Sequence, residues 1–323
     1  MRWLFSTLSP GAAKARLSIL IFHRVLAQAD PLFPDEVDAE RFGHICAWVR
    51  QWFNVLPLPE AARRLREGNL PPRALAITFD DGYADNHDVA LPILQRNGLV
   101  ASFFVATGFI DGGRMWNDTL IESVRRARVD VLRPDGAAFV QGDGTPMVLP
   151  LADVAARRSA IDALIKACRY LPGAERDAAV AAVARASGAT LPHDLMMAGA
   201  QVRALHDRGM DVGGHTVNHP ILTRLPLADA RQEIADGKQH LEAITGAPLR
   251  SFAYPNGRPG QDFADEHVQL VRELGFECAV TTGWGVSDVS TDAFQLRRFT
   301  PWDRSRLGFG LRMARNVGVT VPA

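Results

Sequence analysis

The stretch LAITFDDGYADNH, residues 75–87, decides how this chain is read. A short apolar run, Leu75 to Phe79, ends in two adjacent aspartates, Asp80 and Asp81. Carboxylates are costly to desolvate and costly to bring together. Two of them where a buried strand meets a loop therefore call for a partner that offsets that cost. On an extended strand, neighbouring side chains point to opposite faces. A local turn must aim both into one site.

Similar short β-like runs recur along the chain. They cover Ser18 to Phe22, Asn54 to Leu58, Val100 to Ala106, Met210 to Gly214, Ser251 to Tyr254, Cys278 to Thr281 and Gln295 to Phe299. Helix-like stretches separate them, several ending at glycine, as after Asn97, Arg208 and Leu274. Residues 227–244 place Leu227, Ala230, Ile234, Leu241 and Ile244 on one face of a helix. Strands alternating with helices predict parallel pairing and an α/β fold. Seven or eight such units predict a barrel rather than an open sheet.

Residues 111–195 break that rhythm. Asp135-Gly136 and Asp143-Gly144 read as hairpin turns, and Ala152 to Tyr170 and Ala174 to Ala186 as helices. We read one barrel domain over residues 1–323, with 111–195 as a mainly helical insertion that caps one end of the barrel. A packing subdomain away from substrate is the alternative. Trp116 and Asn117, at its start, are candidates for lining a cleft.

Composition excludes several classes. The chain has 323 residues, 47% of them apolar, enough for a full core. Lys plus Arg equals Asp plus Glu at 36 each, so no basic excess points to nucleic acid. Cys46, Cys168 and Cys278 are far apart and read as reduced core residues. The apolar patch Trp3 to Phe5 is too short for a signal-peptide core, and no apolar run reaches the ~20 residues of a membrane span. The expectation is a cytoplasmic chain, with loose attachment at the inner membrane surface through Trp3, Leu4 and Phe5 as a minor alternative. No GxSxG, P-loop or GxGxxG pattern is present.

In an α/β barrel the active site is built on the loops after the strand C-termini. Asp80 and Asp81 stand at one such position, and GGHTVNHP, residues 213–220, at another. His215 and His219 are four apart, so one helical turn would bring both imidazoles to the same side, ending at Pro220. Two imidazoles and one carboxylate are a common ligand set for a catalytic divalent metal. One aspartate can hold the metal while its neighbour works on water. Asp85 can equally be the cap of the next helix.

Three motifs now stand together: TFDDG (Thr78 to Gly82), HTVNH (His215 to His219) and RSFAYPNG (Arg250 to Gly257). In this order they resemble the polysaccharide deacetylases, carbohydrate esterase family four, from about His23 to Phe299. The resemblance implies a distorted (β/α) barrel and a metal-dependent hydrolase that removes N-acetyl groups from an amino-sugar-containing polysaccharide or its precursor, as in exopolysaccharide biosynthesis. It makes Asp80 the catalytic base and Asp81, His215 and His219 the metal ligands. The metal is expected to be zinc, with cobalt, nickel and manganese also permitted. Tyr254, Pro255, Asn256 and Gly257 match the loop that walls the cleft, where the backbone N–H at Asn256 helps hold the oxyanion.

The chain departs from the family pattern in two places. An arginine that orients the base often stands where this chain has Ala253. Arg297 or Arg298 can replace its charge, with Asp292 as a nearby partner. The C-terminal motif whose histidine is the general acid is absent, and His267 lies in what reads as a surface helix. His23, at the end of the first strand, is the better substitute. His44, His87, His193, His206 and His240 read as ordinary surface or helix residues. Two rival functions remain: a carbon–nitrogen hydrolase of a small molecule on the same barrel, and a catalytically silent glycan-binding protein.

Overall fold

The structure is a computed structural model and describes residues 1–301 and 303–318. By its contacts the chain divides into two compact units. The first comprises Met1–Gln28, Asp35–Asp111 and the chain from Met196 onward; the second comprises Ala29–Pro34 and Gly112–Leu195.

The first unit is built on a parallel sheet. Its strands are β1 (Ser18–Phe22), β2 (Asn54–Val55), β3 (Ala74–Phe79) and β4 (Ser102–Val105), then β7 (Asp211–Gly214), β8 (Ser251–Ala253), β9 (Cys278–Trp284) and β10 (Leu296–Arg298). The number gap belongs to the second unit, which holds β5 (Val131–Leu132) and β6 (Leu149–Pro150). The order is β1-β3-β4-β7-β8-β9-β10, with β2 attached to the start of β3. Phe299, just past β10, then returns to β1. It donates to Ile19 O at 2.8 Å and accepts from Ile21 N at 3.1 Å, which closes the ring as a distorted barrel.

Every residue of β1 and β3 is buried. Such continuous apolar runs are what parallel strands covered on both faces require. The strands fall where the apolar runs predict them, most with shorter ends, while β9 runs on past Thr281 to Trp284. The run from Asn54 pairs only through Val55. Pro57 then sits at the cap of a helix, Leu58–Arg66, and its ring has no N–H to give a ladder.

Two local readings are refined. Phe5 is buried, 4.5 Å from the Phe53 ring, while Trp3 is 80% exposed. The apolar triplet Trp3 to Phe5 is therefore split between core and surface. No helix among the described residues is long and apolar enough to cross a membrane. His267 is buried rather than on the surface, its Nδ1 accepting the Ala264 N–H at 3.1 Å. All three cysteines are free and buried.

The second unit has its own core. Its helices Trp116–Arg125, Val154–Cys168 and Gly173–Ser187 pack Leu120, Val124, Leu164 and Val183 with Phe139. β5 and β6 pair antiparallel. Asp143-Gly144 forms a turn closed by Gln141 N donating to Thr145 O at 2.9 Å. Asp135-Gly136 does not turn a hairpin; it leads into a 3₁₀ turn, Ala137–Phe139.

Candidate active site

The loops after β3, β7, β8 and β1 carry the residues singled out above. Asp80 follows β3 directly, and its N–H donates to Phe22 O at 2.9 Å. Its carboxylate takes both arms of the Arg298 fork, Nη1 to Oδ1 at 2.6 Å and Nη2 to Oδ2 at 2.8 Å. Arg298 is 1% exposed, and its Nε donates to Thr281 O at 2.8 Å. Burial works to raise the Asp80 pKa, but the charge and hydrogen bonds of Arg298, with His215 nearby, hold it below the usual carboxylate value. Of the two candidate arginines, Arg298 is thus the one that meets Asp80. Asp292 is not its partner: Asp292 pairs with Arg272 at 2.5 Å.

Asp81 is aimed by its backbone. Its φ is +77°, so the chain leaves the strand geometry at this residue and both carboxylates can serve one region. Asp81 Oδ1 lies 3.4 Å from His215 Nε2 and 3.5 Å from His219 Nε2. The three ligand atoms fall within 4.8 Å of one another. His215 Nδ1 donates to Ala253 O at 2.7 Å, which fixes the tautomer that presents Nε2. Burial, with the charge of neighbouring His215, pulls the His219 pKa down to about 4. Burial would raise the Asp81 pKa, yet the adjacent imidazoles of His215 and His219 push it well below the usual range. A neutral imidazole and an ionised carboxylate are the forms that bind a metal. The donor set fits a divalent ion.

The helical turn expected over His215 to His219 is not formed. β7 ends at Gly214, and the loop beyond it places Thr216 at φ +65° and His219 at φ +52°. The imidazoles still meet, with ring centroids 4.7 Å apart. Thr216 holds the loop, its Oγ1 donating to His215 O at 2.5 Å and accepting from His219 N at 3.1 Å.

The third motif divides its labour between side chain and backbone. Tyr254 is fully buried and stacks on Phe263 at 3.8 Å, so its ring is core and does not wall an open cleft. Pro255 is buried as well, whereas Asn256 is exposed at φ +58°. Thr282 Oγ1 donates to Asn256 O at 2.7 Å, and among the described residues no acceptor takes the Asn256 N–H. Trp116 lies in the second unit, half-buried, with the Arg176 guanidinium 5.4 Å from its ring centroid. His23 is exposed and directly follows β1, whose Phe22 is in register with Phe79. Parallel neighbours are about 4.8 Å apart, so His23 and Asp80 leave the sheet side by side.

Sequence reasoning missed Glu233, on the helix Leu227–Thr245. Its Oε2 accepts the N–H groups of Val217 and Asn218 at 3.0 and 2.8 Å, pinning the loop that carries His219. Gly237, one turn later, lets that loop approach: a Cβ there would lie 2.8 Å from Thr216 O. A glycine inside an otherwise regular helix was the available signal.

A family model described as polysaccharide deacetylase matches residues 67–133 and 166–279. The Bacillus subtilis (strain 168) protein YxkH, whose name assigns it to the polysaccharide deacetylases, is 19% identical over 286 residues, spanning 88% of this chain and 71% of its own. The Streptococcus pyogenes deacetylase PplD, solved in complex with acetate, superposes with a TM-score of 0.58 at 20% identity, covering 88% of this chain and 92% of that one. IcaB from Ammonifex degensii gives 0.57 at 18% identity, covering 94% and 97%. At these identities the solved structures establish a shared fold.

Proposed function

The chain belongs to the polysaccharide deacetylase family, and on that premise we propose that it hydrolyses N-acetyl groups on an amino-sugar-containing polysaccharide or its precursor. One observation carries the reading: the convergence of Asp81, His215 and His219 beside a buried, arginine-paired Asp80. Asp81, His215 and His219 would hold a divalent cation, zinc being the first choice for this donor set, and when bound it supplies a Lewis acid for the acetyl carbonyl and the attacking water.

The chain's own residues do the rest. Asp80 removes a proton from the attacking water as the C–O bond forms, and Arg298 keeps the carboxylate ionised and oriented. The Asn256 N–H, which no acceptor among the described residues takes, would donate to the oxygen that gains charge. His23 gives a proton to the nitrogen as the C–N bond breaks. Water and amide become acetate and a free amine, and the proton held by Asp80 returns to solvent or to His23.

Acetate release from an N-acetylglucosamine oligomer, with chelator and with added zinc, tests the reading. Metal-dependent release is expected. No release with zinc, cobalt, nickel or manganese, from a folded protein that binds them, overturns it. Release from small N-acetyl compounds alone would favour the small-molecule hydrolase.

A further inference from the structure

The geometry points to Asp85 and Asn86 as positioning residues that hold His23 where it can protonate the leaving nitrogen. The inference rests on the reading of His23 as the acid. His23 lies past the last residue of β1, so the sheet ladder no longer fixes it. The neighbouring chain from β3 does so instead. Asn86 Nδ2 donates to His23 O at 2.9 Å. Asp85 Oδ1 accepts the Val25 N–H at 3.1 Å, and its Oδ2 takes Arg24 Nε at 2.8 Å. Asn86 Nδ2 also lies 3.2 Å from Asp85 Oδ1, linking the two side chains. The Arg24 guanidinium in turn covers the Tyr83 ring, 4.7 Å from its centroid. Residues 23, 24 and 25 are therefore each tied to the segment that carries Asp80 and Asp81.

The ordinary use of an aspartate here would be to cap the next helix. Asp85 precedes the π-helical turn Asn86–Ala90 but makes no capping hydrogen bond. Its carboxylate is turned back toward β1. Asn86 is 1% exposed. Burial raises the Asp85 pKa against the pull of Arg24, so the site retains a carboxylate that does not gain full compensation. π-helical turns are rare and frequently fall at functional sites. Here it sets Asn86 under the His23 carbonyl. One short segment thus supplies the base and holds the loop of the acid, which fixes the spacing between them.

The chemistry gives a test that a merely structural role would not satisfy. An amide nitrogen must gain a proton as the C–N bond breaks, whereas a 4-nitrophenoxide leaves as the anion. Full-length protein with added zinc is assayed on an N-acetylglucosamine oligomer and on 4-nitrophenyl acetate. For Asp85→Asn and Asn86→Leu the expected loss in kcat/KM is roughly 10- to 100-fold on the amide, part of the ~10²–10⁴ that general acid–base groups contribute. On the ester it should be about twofold or less. In a His23→Ala background neither change should cost further amide activity, because the group they place is gone.

The outcomes separate the two ideas. If His23→Ala loses the same factor on both substrates, the acid reading fails and this inference falls with it. If His23→Ala is selective for the amide but Asp85→Asn and Asn86→Leu are not, the acid stands and the positioning role is wrong. Thermal melts identify any variant that fails to fold. Asp85→Asn, which keeps the shape of the side chain, decides the matter if Asn86→Leu does not fold.

Discussion

Arg298→Met would test whether the buried pair with Asp80 is what keeps the base usable. The side chain removed is fully buried and supplies two charge-assisted hydrogen bonds, at 2.6 and 2.8 Å, to a carboxylate that is only 3% exposed. Methionine nearly fills the space but leaves that carboxylate unpaired. Breaking a buried pair from one side costs about 3–5 kcal/mol. With an unfolding entropy near 2.1 cal/mol/K per residue over 323 residues, the melting temperature should fall by roughly 4–7 °C. Turnover should fall toward the ~10²–10⁴-fold limit of losing the base altogether. Arg298→Lys keeps a charge but not the planar fork, so it should recover part of the stability and little of the activity. The decisive variant is the double change, Arg298→Met with Asp80→Asn, because the amide removes the orphan charge. Melts recorded in chelator, where cation binding adds nothing, should place the double variant above Arg298→Met alone. Metal content should match the parent, since the hydrogen bonds of Arg298 go to Asp80, Thr78 and Thr281 rather than to the ligand candidates. If Arg298→Met melts within about 1 °C of the parent, or the double variant is the least stable of the set, the pairing argument is refuted.

Three further outcomes follow from the same structure. Asp80→Asn should bind zinc like the parent and lose most turnover, whereas Asp81→Asn should show a weakened zinc isotherm that excess metal partly rescues; indistinguishable isotherms would remove the division of labour. Asp211, held by Ser251 Oγ at 2.8 Å, has its pKa raised by burial, so its stabilising contribution is complete below the ordinary value of 3.8 and is lost as pH rises through the higher folded value. Asp211→Asn should therefore melt above the parent at about pH 8 and close to it at about pH 3.5, and a gap independent of pH would count against this. Burial pushes Cys46 up to about 12 and also raises Cys168 and Cys278, so iodoacetamide should label all three only after unfolding; labelling of the native chain on the same timescale would contradict their placement.

The strands were legible because a parallel barrel demands continuous apolar runs, and β1 and β3 fall on their predicted residues. The two carboxylates and two histidines were legible because each motif ends such a run. Partners across the barrel were not. Arg298 and Asp80 are 218 residues apart, and only closure of the sheet brings them together. The choice between Arg297 and Arg298 had a signal that was not used. Leu296 and Arg298 share one face of β10 and are both buried, while Arg297 points the other way and is half-buried. Asp292 misled because proximity in sequence stood in for proximity in space. Tyr254 shows the limit of motif matching, which cannot tell a side chain that faces substrate from one that packs behind a useful backbone.

Backbone conformation is where the sequence is least readable and where this site is made. Among the described residues, the non-glycine residues with positive φ are Ala12, Arg73, Asp81, Asp111, Thr216, His219 and Asn256. Four of these seven stand in the three motifs, two of them being metal-ligand candidates. A left-handed residue costs roughly 1–2 kcal/mol, and a β-branched one such as Thr216 is the least suited to it. A spacing of four between histidines therefore predicted a helix, the cheap solution, and the structure adopts the expensive one. Apart from the Thr216 hydroxyl, what sustains it lies outside the motifs. Glu233 takes two loop N–H groups, Gly237 leaves room for Thr216 O, and Thr282 holds Asn256 O. The helix Leu227–Thr245 supplies no ligand to the site, yet it over-determines the loop that carries His219. Strain of this kind persists only where the surroundings over-determine it. The residues that make the site possible therefore include several that no chemical motif would single out.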